Sequence, residues 1–255
     1  MPHAFMAVPF LMLRDLPPLR LVDTPLIPLL AAQAAWVAIR ARRLPEARGP
    51  RSGQTGNGAP LRLLVLGDSS AAGVGVAHQD MALAGRLVAH LAPHRAVRWR
   101  LHARSGATAR STLKSLDTLP PGAYDAAVLA LGVNDTKNGL SAGRWRRDYA
   151  ALLDALATRF GVTLWVASGV PPLDRFPLLP RPLRDVLGQR AMVLDHELAR
   201  LAASRPDVIH LSVGDALDPS GMAEDGFHPG PAVYDAWARR VAQALLDRPV
   251  PGVAP

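Results

Sequence analysis

The chain of 255 residues contains no cysteine, which excludes a disulfide framework and any thiolate metal site. Lysine is nearly absent as well: Lys114 and Lys137 are the only two. Aromatic residues make up 5% of the chain, too few and too dispersed for the stacking platforms that hold single-stranded nucleic acid. The formal net charge of +8 is carried almost wholly by arginine. Its densest cluster, Arg40, Arg42, Arg43, Arg48 and Arg51, has no aromatic residue interleaved and belongs to no recognised nucleic-acid motif. The cations therefore read as solvated faces, and no nucleic-acid partner is expected. Internal repeats and low-complexity tracts are absent too.

What is present is apolar and aliphatic. Hydrophobic residues are 49% of the chain, enough for one α/β domain with a substantial core. Continuous apolar runs at 61–67 (LRLLVLG), 126–132 (AAVLALG) and 162–168 (VTLWVAS) have the character of strands covered on both faces. Residues 97–103 (VRWRLHA) alternate, as a less buried strand does, and 208–211 is a shorter fifth strand. Helical patterns fall between them at 78–92, 107–116, 142–159, 182–203 and 231–247. Alternating strands and helices predict a parallel sheet with helices on both faces, and ligands in such sheets bind beyond the carboxyl ends of the strands.

The N-terminal region is different. An apolar stretch from Leu21 to Ile39, interrupted by Asp23, Pro25, Pro28 and Gln33, is followed at once by Arg40, Arg42 and Arg43. Three readings stay open: a helix from Pro28 to Arg40 docked on the domain or lying at a membrane interface, a short membrane span with the domain on the cytoplasmic side, and a cleaved signal segment. The first is favoured, which makes the protein cytoplasmic or membrane-associated rather than secreted. The expected organisation is an N-terminal apolar segment over 1–43, a Gly/Pro-rich linker over 44–60, a domain over 61–248 and a tail over 249–255.

The chemistry-bearing residues lie just after the strands. Gly67-Asp68-Ser69 closes the first run and leads into the small residues Ala71-Ala72-Gly73-Val74-Gly75. A serine there is a candidate nucleophile, but its hydroxyl needs a base. Ser70 is the adjacent alternative; Ser69 lies nearer the strand end. His228, in Phe227-His228-Pro229-Gly230 before the last helix, is the candidate base. Asp225, three residues earlier, can accept from one ring nitrogen while the other faces the serine. Read instead as a metal pair, Asp225 and His228 lack a third ligand nearby, and no metal is expected. Asn134 follows the third run and can donate to an oxyanion, although an Asn-Asp pair serves as readily to cap a turn. Gly106, after the second strand, offers a backbone N–H, although alone it is only a loop glycine. The segment 169–182 (GVPPLDRFPLLPRP) is apolar and proline-stiffened, suited either to wall a substrate pocket or to pack over the next helix.

Taken in order, these four blocks resemble the SGNH, or GDSL, hydrolase family, esterase and lipase branch, from about Leu61 to Asp247. The resemblance implies a flavodoxin-like three-layer α/β/α domain with a mostly parallel five-stranded sheet. It implies Ser69 as nucleophile with Asp225 and His228 completing a catalytic set, and Ser69, Gly106 and Asn134 as the oxyanion donors, without a cofactor. Ser70 stands where many members carry leucine. The expected activity is hydrolysis of carboxylic esters with small to medium acyl chains. The alternatives are a membrane-associated lipase, lysophospholipase or thioesterase, and, in another class, a non-catalytic binding module. The expected partner is a small-molecule or lipid ester.

Overall fold

The computed structural model describes residues 26–40, 44–214 and 216–248. Residues 21–25 of the apolar stretch, Arg42, Arg43 and the tail 249–255 lie outside them. Six strands, β1 (Ser52–Thr55), β2 (Ala59–Gly67), β3 (Arg95–Ala103), β4 (Ala126–Ala130), β5 (Leu164–Ser168) and β6 (Val208–Leu211), form one sheet in the order β1-β3-β2-β4-β5-β6. All neighbours pair in parallel except β1, which runs antiparallel along β3 with Gly53 opposite Trp99. The helices are α1 (Leu26–Arg40), α2 (Leu83–Leu91), α3 (Ala109–Ser115), α4 (Ala142–Phe160), α5 (Leu183–Ala203) and α6 (Pro231–Leu246).

The period of two along β2 builds two cores from one strand. Leu64 and Leu66 join Ala127, Leu129, Trp165 and Ala167 on the face covered by α3, α4 and α5. Leu63 and Val65 join Ala126, Val128, Leu164 and Val166 on the face covered by α2 and α6. Leu63 through Leu66 are fully buried, as a continuous apolar run in a central strand requires. The helix ends follow local chemistry: Thr108 and Ser111 form a reciprocal capping box on α3, and α6 begins with Pro231.

Two expectations are corrected. The sheet has six strands, because the stretch 44–60 is not a free linker. It contributes β1, which covers the edge of β3, and the start of β2. Ahead of β1, Glu46 accepts from the Ser105 N–H (2.7 Å) and hydroxyl (2.8 Å), and Arg51 bonds both Glu46 and the Ala103 carbonyl. The helix expected from residue 78 begins at Leu83, because Gln79–Met81 form a tight turn and Ala82 is extended.

With the strands in this order, the chain steps from β2 to β3 on one side and then crosses to β4 on the other, so the winding of the connections reverses between β2 and β4. That switch point is where a doubly wound sheet opens a crevice at its carboxyl edge.

Candidate active site

β2 delivers Ser69 to that crevice. Gly67 ends the strand where a side chain has no room, since a Cβ there would stand 2.5 Å from both the Ala130 carbonyl oxygen and the Ala71 methyl. Asp68 is buried, and its Oδ1 accepts from the Ser70 N–H (2.9 Å) and hydroxyl (2.7 Å). This commits the Ser70 hydroxyl to Asp68 and leaves Ser69 as the serine whose hydroxyl meets the histidine described below. Burial pushes the Asp68 carboxyl above its usual range, against the two Ser70 bonds. The turn is then pinned to the C-terminal part of the chain. Tyr234 on α6 donates to the Val74 carbonyl at 2.7 Å, and Gly75, at φ +105°, passes so close to Pro229 that a Cβ would lie 2.3 Å from its carbonyl oxygen.

The loop before α6 supplies the histidine. Met222 and Pro229 pair as a single antiparallel bridge, and the Ala223 N–H donates to the His228 carbonyl at 2.8 Å. Within the turn so closed, Asp225 Oδ1 accepts the Phe227 and His228 N–H groups, each at 2.9 Å. Its Oδ2 lies 2.5 Å from His228 Nδ1, and His228 Nε2 lies 3.0 Å from Ser69 Oγ. Burial opposes the charge on Asp225, but these hydrogen bonds outweigh it and hold its pKa below the usual value. An ionised carboxylate on Nδ1 leaves Nε2 unprotonated in the neutral ring, the tautomer that can accept the Ser69 proton. Phe227 stacks edge-on against His228 on one side and Phe176 on the other, with centroids 5.2 Å apart in each case.

Asn134 follows β4 on the other side of the switch point. Its amide nitrogen donates to the Ala107 carbonyl at 3.0 Å and to Asp68 Oδ2 at 3.3 Å. Gly106 precedes Ala107 in a loop held to the end of β2 by the Arg104 N–H on the Gly67 carbonyl, 3.2 Å. It adopts φ +81° and faces open space. The structure thus joins Ser69, His228 and Asp225 directly, and brings Asn134 and the Gly106 loop together around Asp68. The next residue, Asp135, is buried behind the site beside the first N–H of α3. Burial drives its carboxyl up to about 7, against the Ala109 N–H.

A cavity of about 50 Å³ opens beside Ser69 and His228. Its walls include Leu131, Phe176, Val213, Leu217 and Trp237. The segment 169–182 contributes Gly169, Pro171 and Phe176, so it walls the cavity and packs as well: the Leu178 N–H donates to the Gly226 carbonyl at 3.1 Å. Trp237 donates from its indole to Ser168 Oγ at 3.0 Å, which holds the ring in the cavity wall. Val213, Leu217 and Trp237 were not singled out from the sequence. Val213 and Leu217 follow β6, so the rule that ligands bind at strand ends is the signal that could have found them; nothing local marks Trp237. Among the described residues no group of three or more potential ligands is placed to hold a metal ion.

Fold and site together define a doubly wound α/β protein with a serine, a histidine and an aspartate joined by hydrogen bonds at the carboxyl edge of its sheet. The model of the GDSL-like Lipase/Acylhydrolase family matches residues 65–236, and the chain belongs to that family. It is 30% identical over 205 residues to a GDSL-like esterase of Mycobacterium tuberculosis, an alignment that takes in 73% of this chain and 62% of that relative. A member of the lipolytic G-D-S-L family from Veillonella parvula superposes with a TM-score of 0.60 at 14% identity, over 73% of this chain and 99% of the other. A carbohydrate acetylesterase from Sinorhizobium meliloti does so with a TM-score of 0.57 at 15% identity, over 73% and 99% of the two chains.

Proposed function

We propose that this protein hydrolyses carboxylic esters through an acyl-enzyme on Ser69. The observation that carries the reading is the hydrogen-bonded line Ser69 Oγ, His228 Nε2, His228 Nδ1, Asp225 Oδ2, at 3.0 and 2.5 Å. Ser69 Oγ attacks the ester carbonyl while its proton passes to His228 Nε2. Asp225 holds the ring and stabilises the imidazolium. The carbonyl oxygen, now an anion, takes hydrogen bonds from the Ser69 and Gly106 N–H groups and from the Asn134 amide, which exchanges its bond to Asp68 for one to the oxyanion. Collapse expels the alcohol, which receives the proton from His228. Water then attacks the acyl-enzyme, again giving a proton to His228, and the carboxylic acid leaves as Ser69 is reprotonated.

The walls Leu131, Phe176, Val213, Leu217 and Trp237 offer an apolar surface beside Ser69 and His228, which supports a small to medium acyl group as the part of the ester held there.

The test is active-site labelling with a fluorophosphonate, followed by peptide mass mapping. The expected adduct is on Ser69, lost in Ser69→Ala together with hydrolysis of p-nitrophenyl acetate. An adduct on Ser70 or Ser105, or unchanged turnover by Ser69→Ala, would overturn the assignment. A folded protein with no label and no hydrolysis would favour a binding module.

A further inference from the structure

The helix α1 presents apolar residues on every side, Gln33 being its one polar residue before Arg40, yet only one side of it is covered. Its 15 residues carry no acidic group, and Arg40 is the first charge. On the inward side Leu30, Ala34 and Val37 rest against the core, and Gln33 anchors the helix by two bonds to the backbone before α5: its amide donates to the Arg181 carbonyl (2.6 Å) and its Oε1 accepts the Leu183 N–H (3.0 Å). At 100° per residue the opposite side carries Leu29, Ala32, Ala35, Trp36 and Ile39. All of these are exposed, Ile39 by 81% and Leu29 and Trp36 by 45% each. A helix apolar on every side is ordinarily enclosed, so this outer face requires a covering.

We propose that α1 is an interfacial anchor whose outer face lies in an anionic lipid surface. Charge selects that occupant. No acidic residue occurs from Thr24 to Pro45, while Arg40, Arg42 and Arg43 follow the helix in sequence. The Arg40 guanidinium lies 5.5 Å over the Trp36 ring, a cation and an amphipathic ring at the same end, the pair found at headgroup level. Area disfavours a second copy of the chain. A helix of this length is about 22 Å long and about 10 Å across, so its outer half presents on the order of 350 Å², well below the roughly 800 Å² per partner of a stable dimer. Length disfavours a span: among the described residues no helix is long and apolar enough to cross a membrane. A short helix with one face docked on a domain and the other apolar matches a helix lying in the interface plane. The anchor reaches toward the site, because Gln33 holds the backbone at Arg181 and Leu183, the end of the segment that walls the Ser69 cavity.

The full chain is tested by flotation with vesicles of phosphatidylcholine alone and of phosphatidylcholine with phosphatidylglycerol. Ester hydrolysis plays no part in the readout, so the outcome is independent of the function proposed above. Binding to the anionic vesicles is expected to exceed binding to neutral ones by about tenfold or more and to weaken with salt. Ile39→Glu is expected to reduce it by about tenfold or more while leaving the circular dichroism spectrum and melting midpoint unchanged, since Ile39 is exposed. Brominated lipid is expected to quench wild-type emission, and Trp36→Phe to remove most of that quenching. A folded protein that does not float, or floats equally with Ile39→Glu, overturns the proposal. So does a dimer, seen by light scattering, that Ile39→Glu dissociates, which would assign the face to a second copy. Shielding of Trp36 from acrylamide without lipid would assign it to residues 1–25 and overturn the proposal likewise.

Discussion

Two adjacent residues after β4 carry different burdens. Asn134 donates to Asp68 and Ala107 in the resting structure, so its amide both ties the switch point together and, in the proposed mechanism, turns to the oxyanion. Asn134→Ala is expected to lower kcat by about 10²–10³-fold with little change in KM. A large loss of thermal stability with normal specific activity would show that it only ties the loops. Asp135 is the stability liability. An unfolded aspartate ionises from about pH 4 upward, whereas the folded side chain keeps its proton to about 7. Between those values the folded state holds a proton that the unfolded chain has released, so stability falls as pH rises and the deficit persists above 7. Asp135→Asn keeps an acceptor for the Ala109 N–H and removes the charge. It is expected to stabilise the protein at pH 8 by on the order of 1–3 kcal/mol and to change little at pH 4, part of the gain being offset by the new amide's own N–H groups. Chemical denaturation at the two pH values measures this; equal effects at both would show that Asp135 is not held protonated.

The strands were the most legible elements. The runs 61–67, 126–132 and 162–168 are apolar without interruption because both faces of the central strands are covered, and they mark β2, β4 and β5 to within two residues at either end. β1 was illegible for the opposite reason. Ser52-Gly53-Gln54-Thr55 is exposed throughout, and its strand character comes from pairing with β3 rather than from its own side chains. The blocks around Ser69, Asn134 and His228 are weak signals one by one, since turns at strand ends use the same residues; their occurrence in order, and so the resemblance to the SGNH family, is what marks them. The cavity was legible only in part: the segment 169–182 marked one wall, whereas Val213 and Leu217 come from the loop after β6 and Trp237 from a helix whose periodicity says only that it is buried. α6 therefore serves both core and site. Its Trp237 lies nearly parallel to Tyr234, at 8°, while its edge closes the cavity. Trp237→Leu is expected to deepen the cavity by one or two carbons and raise kcat/KM for p-nitrophenyl hexanoate relative to acetate by about tenfold, a methylene being worth about 1–3 kcal/mol. An unchanged ratio would place the acyl chain elsewhere.

At the scale of the whole molecule the described residues divide into a sheet filled on both faces and a helix held on its outside. Every strand of the parallel set and every helix from α2 to α6 contributes fully buried or nearly buried side chains to one of the two cores. α1 contributes none; its attachment is the Gln33 pair of bonds and three partly buried side chains. Local opening free energies follow buried contact, so α1 is expected to open without the sheet. Hydrogen exchange followed by mass spectrometry should show residues 26–40 exchanging orders of magnitude faster than β2 and β4. Gln33→Ala removes both anchoring bonds, each worth about 0.5–1.5 kcal/mol, and should speed exchange in α1 about tenfold while leaving the sheet unchanged. Were α1 as protected as β4, or were the sheet to loosen with Gln33→Ala, the helix would belong to the cooperative core, and its bare outer face would have to be accounted for as part of the folding unit.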